Sequence, residues 1–122
     1  MANEITYSVA FSAIKGGATI NSGTLSDTVD MAGVDMATVT QSVGTSNEAL
    51  GVPGDVSGDA HLVVKNLDST NYVEIFKDNG NAHLLSKLNA GEACSLRSIP
   101  SGSLYARANT AAVLIQFWIC EV

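Results

Sequence analysis

Residues 5–11 read Ile-Thr-Tyr-Ser-Val-Ala-Phe, and their pattern decides the fold class. Large apolar side chains alternate with small or polar ones along this stretch. The large ones on one side are Ile5, Tyr7, Val9 and Phe11. A period of two residues is that of a β-strand, whereas a helix would repeat every three to four residues. The stretch therefore predicts a strand with one buried face.

The same period recurs along the chain in short runs that turn residues separate. Lys15-Gly16-Gly17 predicts one turn, and Asp78-Asn79-Gly80 predicts a tight one, because Asn-Gly favours the positive φ angles of a type I′ hairpin. Gly51–Asp59 holds three glycines, a proline and two aspartates, which predicts a loop. We interpret it as an internal loop and not a domain boundary, since neither flank is long enough for a core of its own.

The final run, Ala111–Glu121, is apolar on both sides of the alternation, with Phe117 on one side and Trp118 on the other. Such a strand is central in its sheet or covered on both faces. With about eight to ten short strands and turns about every ten residues, the chain predicts an all-β fold. We expect a single antiparallel β-sandwich domain over residues 1–122, of jelly-roll-like type.

Composition and charge narrow the classes of partner. Charged residues make up 15% of the 122-residue chain, below the roughly 25% of typical soluble domains. Either a partner covers part of the surface, or Ser, Thr, Asn and Gly supply its polarity. The net charge is −6, and residues 1–60 carry seven acidic side chains against one lysine. Without a cluster of Lys and Arg, neither nucleic acid nor an anionic membrane is an expected partner.

The sequence gives little sign of chemistry, and we expect no enzyme and no cofactor. Cys94 and Cys120 lie in strand patterns and are expected to be free thiols. His61 opens a strand and His83 follows a turn, so each is expected to be structural. The N-terminus lacks the basic and apolar regions of a cleaved signal, which predicts synthesis in the cytoplasm without export.

Two binding alternatives stay open. Asp55 and Asp59 share the glycine-rich loop and are candidate calcium ligands, because calcium prefers carboxylate and carbonyl oxygens. The same residues also fit a solvated acidic loop. A sugar site would use exposed aromatic rings such as Tyr72 or Tyr105, whereas Trp118 is expected in the core or at an interface.

The second half of the chain resembles a known family. The stretches that match are HLVVKNLDSTNYVEIF (61–76), KLNAGEACSLR (87–97) and LYARANTAAV (104–113), with QSVGTSNEAL (41–50) upstream. In this pattern the chain is similar to small virion proteins of tailed bacteriophages, over roughly residues 38–122. The resemblance implies a jelly-roll-like fold and a structural role in the particle. It transfers no catalytic residues.

The resemblance therefore implies a virion protein, and we expect a capsid decoration or cement protein that binds the lattice of the major capsid protein. A head–tail adaptor or tail component is the alternative, and a carbohydrate- or calcium-binding module is the alternative from another class. By analogy with decoration proteins we expect self-association, with a trimer preferred. The candidate interface residues are Ile5, Tyr7, Val9, Phe11, Asp27, Asp30, Asp35 and Trp118.

Overall fold

The computed structural model describes residues 4–31 and 33–122. Strands account for 60% of the chain and helix for 3%, so the predicted all-β class is confirmed. The chain divides into two compact units, Met1–Ala32 and Gly33–Val122, which are described separately below. The single domain over residues 1–122 stays a prediction. Among the described residues, no helix is long and apolar enough to span a bilayer.

The first unit is one β-hairpin. Strand β1 (Ile5–Lys15) pairs antiparallel with β2 (Ala18–Val29), and Lys15 faces Ala18 where the two strands end. Between them lie Gly16 and Gly17, with φ angles of 58° and 85°. Two successive positive φ angles are those of a type I′ turn, whose twist matches that of the strands. The predicted turn is confirmed at this position.

The second unit contains eight strands and one short 3₁₀ turn at Ser101–Ser103. The strands are β3 (Met36–Val43), β4 (Glu48–Ala49), β5 (Asp59–Asn66), β6 (Val73–Phe76), β7 (Leu84–Leu88), β8 (Ala93–Pro100), β9 (Tyr105–Ala108) and β10 (Val113–Glu121). They form two four-stranded antiparallel sheets, in the orders β3-β10-β5-β8 and β4-β9-β6-β7. The predicted loop at Gly51–Asp59 lies within this unit, and its last residue begins β5.

The pairings of the second unit are nested. Strand β3 pairs with β10, β4 with β9, β5 with β8, and β6 with β7. These are the pairings of one long folded hairpin whose two halves lie side by side. Two further pairings, β10 with β5 and β9 with β6, complete the two sheets. Consecutive strands along the chain therefore fall mostly in different sheets.

Side chains from both sheets bury one common core. Ile115, Phe117 and Val64 of the first sheet are fully enclosed. Val73 and Ile75 of the second sheet are also fully enclosed. Each such side chain stabilises the fold by about 1.5–3 kcal/mol relative to an exposed position. The alternation seen in the sequence of this unit therefore reports burial on one face of each sheet.

The last strand is central, as predicted. Strand β10 lies between β3 and β5, and Phe117 pairs with Val39 on one side and Val64 on the other. On its opposite face Leu114 and Trp118 remain 46% and 40% exposed. Within the chain, β10 is thus covered on one face only.

The predicted type I′ turn at Asp78-Asn79-Gly80 is wrong. The positive φ angle falls on Asn81 (56°), and β7 begins only at Leu84. The carboxylate of Asp78 accepts hydrogen bonds from the backbone N–H groups of Ala82 (2.9 Å) and His83 (2.8 Å). This side chain stabilises a wider loop than Asn-Gly alone would have produced.

Candidate interaction surfaces

The hairpin presents one apolar face. Partners across an antiparallel pair lie on the same side of the sheet, and the register joins Val9 to Leu25 and Ala13 to Ile20. The side chains on this face, called here the hairpin apolar face, are Ile5, Tyr7, Val9, Phe11, Ala13, Ala18, Ile20, Leu25 and Val29. Asp27 beside Tyr7 and Lys15 beside Ala18 are the charged residues on it.

A β-bulge makes the face continuous. Between the pairs Ala10–Thr24 and Ser12–Asn21, β2 has one residue more than β1, so two residues oppose Phe11. Because the bulge absorbs the extra residue, Ile20 stays on the side that Leu25 occupies. The backbone N–H of Phe11 donates to the Ser22 hydroxyl at 2.9 Å instead of to a ladder carbonyl.

The opposite face of the hairpin is mostly polar. Its side chains are Thr6, Ser8, Ala10, Ser12, Ile14, Thr19, Asn21, Thr24, Ser26 and Thr28. Ile14, which is 77% exposed, is the one large apolar side chain among them. The hairpin is therefore amphipathic, with its large apolar side chains concentrated on one side.

The hairpin apolar face is solvent-exposed in the chain. Val9 is 47% exposed, Phe11 60%, Ile20 61% and Leu25 57%, while Ile5 and Tyr7 are partly exposed. The expectation that Ile5, Tyr7, Val9 and Phe11 form a buried face is therefore wrong for the chain alone. The strand was predicted correctly, but a two-stranded sheet has no second layer in its own unit to cover it. Contiguous exposed apolar patches of this kind mark interaction sites.

A second exposed apolar surface lies on the outer side of the β3-β10-β5-β8 sheet. Trp118 is flanked there by Thr38 on β3 and Val63 on β5, and Cys120 is flanked by Met36. Val63 is 40% and Met36 65% exposed. We call this surface the Trp118 face. Trp118 is therefore not a core residue, and its place at an interface stays a prediction.

The two surfaces account for only part of the predicted interface set. Asp27 and Asp30 are exposed in the first unit. Asp35 lies in the second unit, where its backbone carbonyl accepts the N–H of Glu121 at 3.1 Å. The three aspartates are therefore not brought together within one unit.

The stretches that resemble phage virion proteins contain side chains that hold turns in place through hydrogen bonds. The side chain of Asn66 is fully buried, and its amide donates to the carbonyls of Asn71 (2.9 Å), Leu88 (3.0 Å) and Asn89 (3.2 Å). Its own oxygen accepts the N–H of Asp68 at 2.8 Å. One side chain thus ties the end of β5 to the following turn and to the end of β7.

Two further residues of the same pattern have similar roles. The carboxylate of Asp68 accepts the N–H groups of Thr70 and Asn71, which lowers the pKa of Asp68. The Thr110 hydroxyl donates to the side-chain oxygen of Asn71 at 2.9 Å. These contacts make the quoted stretches a set of structural turns, and sequence reasoning missed the central position of Asn66 among them.

His61 is a structural residue of a second bulge. Strand β8 carries one residue more than β5 at this point, and Ser98 there has a φ angle of 53°. The N–H of Ser98 approaches Nδ1 of His61 at 3.0 Å, and Nε of Arg97 approaches Nε2 at 3.1 Å. Burial, and then the charge of Arg97, lower the pKa of His61. A neutral imidazole that accepts a backbone donor fits its predicted structural role.

The metal and thiol candidates gain no supporting partners. Asp55 and Asp59 are both exposed, and no group of three or more His, Cys, Asp or Glu side chains within residues 4–31 and 33–122 could hold a metal ion. Cys94 and Cys120 are free, as predicted. Burial raises the pKa of both thiols, which makes them poor nucleophiles.

The candidate sugar-binding rings are less available than the sequence suggested. Nζ of Lys87 lies 4.1 Å from the centre of the Tyr72 ring and covers one face of it. Tyr105 is partly buried in β9. Both tyrosines are therefore only partly exposed.

Comparison with known proteins adds no relative. The chain matches no protein-family model, and neither a curated protein nor a solved structure is significantly similar to it. The class that the structure defines is an all-β protein with two exposed apolar surfaces.

Proposed function

We propose that the chain is a structural subunit of a tailed-bacteriophage virion, of the capsid decoration or cement type. The observation that carries this proposal is the hairpin apolar face, where several large apolar side chains are exposed side by side. Such a face suits a subunit that buries it against neighbours. The resemblance of residues 38–122 to small phage virion proteins indicates that these neighbours belong to a phage particle.

The strand order supports a jelly-roll fold for the second unit. Nested antiparallel pairs that roll into two four-stranded sheets are the pattern of a jelly roll, an architecture found in viral capsid domains. The shared core between the sheets supports the sandwich arrangement. Fold alone does not define function, because the same architecture also serves lectins and cupins.

The Trp118 face is the surface we propose for attachment to the capsid lattice. It lies on a sheet of four strands, which gives it a more rigid support than a loop would. Aromatic and methionine side chains are enriched in interface centres, and Trp118 and Met36 are both exposed here. The major capsid protein is the proposed partner. The trimer stays an expectation by analogy.

The alternative in the same class is a head–tail adaptor or tail component, and it would use the same surfaces. Copy number separates the two. A decoration protein is present in numbers comparable to the major capsid protein, whereas an adaptor or tail subunit is present in far fewer copies. The carbohydrate-binding alternative is less favoured because Lys87 covers one face of the Tyr72 ring. The calcium-binding alternative gains no specific observation.

Quantitative mass spectrometry of gradient-purified particles from the lysate tests the proposal. We expect peptides of this chain in a ratio to the major capsid protein that is close to a simple fraction. A few copies per particle would instead support the adaptor or tail alternative. Absence from every particle fraction, with the protein present in the soluble fraction, would contradict both virion roles.

A further inference from the structure

We propose that the hairpin apolar face is an isologous contact, in which two copies of this chain pack their hairpins face to face and antiparallel about a two-fold axis at Phe11. The inference concerns the first unit alone and does not depend on the virion role. It commits to a second copy as the occupant of the face. The reasons are the spacing of the apolar rows and the positions of the two charges.

The apolar rows are arranged symmetrically about Phe11. The pair Val9–Leu25 lies on one side of it and the pair Ala13–Ile20 on the other, each two residues along β1. A two-fold axis that lies in the interface plane and runs perpendicular to the strands places β1 of one copy over β1 of the second copy. It likewise places β2 over β2. Val9 then faces Ala13 of the second copy, a larger side chain against a smaller one. Leu25 faces Ile20, and Phe11 meets its own copy at the axis.

The charges are placed with the same symmetry. Tyr7 and Lys15 each lie four residues from Phe11 on β1, about 13 Å along the strand at the usual rise per residue. Asp27 is the cross-strand partner of Tyr7. The antiparallel arrangement therefore brings Lys15 of each copy over the Tyr7–Asp27 pair of the other. Two equivalent ion pairs between Lys15 and Asp27 result.

A parallel arrangement would lose this match. With both hairpins pointing the same way, Asp27 would lie beside Asp27 and Lys15 beside Lys15, so like charges would meet at both ends. Within one hairpin the two residues are about 26 Å apart, too far for an ion pair of their own. In the described part of the chain neither residue forms an ion pair. The charge pattern thus favours antiparallel packing of two copies.

The β-bulge in β2 keeps the apolar rows matched on the two sides of Phe11. If β2 ran through these same residues as a regular strand, Ile20 would point to the polar side, and the rows on the two sides of Phe11 would no longer match. Two-stranded hairpins are marginally stable alone, and a second layer stabilises them.

Sedimentation velocity of the full chain over a wide concentration range tests the contact. We expect a concentration-dependent association of two copies. Phe11→Asp places two carboxylates at the axis and should raise the dissociation constant by at least about tenfold. Ser12→Asp, on the opposite face of the same strand, is the matched control and should change it by less than about twofold. A wild-type chain that is monomeric throughout, or equal effects of the two variants, would overturn the proposal.

The charge exchange tests the orientation. Lys15→Asp and Asp27→Lys should each weaken association by several-fold, and the double variant should restore it. Because the two positions are far apart within one hairpin, only a contact between copies can produce this rescue. Association that depends on Phe11 but is not rescued by the exchange would overturn antiparallel packing in favour of a parallel bundle. Circular dichroism of each variant excludes unfolding as the cause.

This experiment is separable from the test of the virion role. A chain that associates as proposed but is absent from particles would contradict the virion role and leave the contact standing. A chain that is present in particles but monomeric in solution would contradict the contact and leave the virion role standing.

Discussion

Ile20 and Leu25 lie on the same face of the β1–β2 hairpin, although their positions differ by five and a regular strand would put them on opposite faces. The β-bulge between them restores the alignment. Gly23, with a φ angle of 66°, takes a conformation there that most side chains disfavour. The bulge therefore decides whether the hairpin has one apolar face or two mixed ones.

Gly23→Val is expected to weaken self-association, because a β-branched residue disfavours the positive φ angle of the bulge. A regular β2 of the same length would turn Ile20 to the polar side. Gly23→Asn is the matched control, since asparagine tolerates positive φ angles and keeps the bulge. Sedimentation velocity at matched concentrations is the measurement. Association of Gly23→Val at wild-type strength would show that the bulge has no part in the contact.

Asn66→Leu is expected to destabilise the second unit by about 2–4 kcal/mol. The variant leaves the carbonyls of Leu88, Asn89 and Asn71 without their buried donor. Asn89→Ala is the control, because the Asn66 amide meets only the backbone carbonyl of Asn89 and that carbonyl remains. Urea unfolding followed by tryptophan fluorescence gives both values. Equal stabilities for the two variants would argue against the central position of Asn66.

The free energy of unfolding should fall as the pH drops below about 6.5, the ordinary pKa of histidine. His61 has a lowered pKa in the folded chain, so the unfolded chain binds its proton first. Stability is then present above the unfolded pKa and is lost as the pH falls towards the folded one.

Urea unfolding between pH 7.5 and 5 measures this dependence. His61→Gln should flatten the curve in that window. If the pH dependence of the free energy of unfolding persists in His61→Gln, groups other than His61 cause it.

Trp118→Lys should weaken binding to purified heads while the chain stays folded. Trp118 is 40% exposed, so the loss of stability should stay within about 2 kcal/mol. Leu84→Lys, in β7 of the other sheet, also replaces an exposed apolar side chain with a lysine and is the control. A pelleting assay with particles gives the bound fraction. Equal binding of both variants would contradict attachment through the Trp118 face.

The sequence predicted the elements of the fold well, since alternation and turn residues are local signals. It placed the strand at Ile5–Phe11 and the central last strand correctly. It did not predict that the face of the first strand is exposed, because alternation shows which side is apolar but not what covers it. What covers a face depends on how the strands and sheets pack. This packing is set by contacts between residues that are distant in the sequence.

The residues of the candidate interaction surfaces were likewise predicted only in part. The prediction that Val9, Phe11 and Trp118 belong to interfaces came from their types and positions. Ile20 and Leu25 were missed, because their odd spacing conceals a shared face until the bulge is seen. Gly23 inside a strand pattern was the signal that could have indicated it. Asn66 was missed because an asparagine at a strand end also fits an ordinary turn.

Immunogold electron microscopy of particles from the lysate tests the central claim most directly, with an antibody against this chain. The proposed decoration role predicts dense label over the heads. Label confined to the neck or tail would move the chain to the alternative position in the virion. No label on any particle, with the antibody active on the purified protein, would contradict a structural role in the virion.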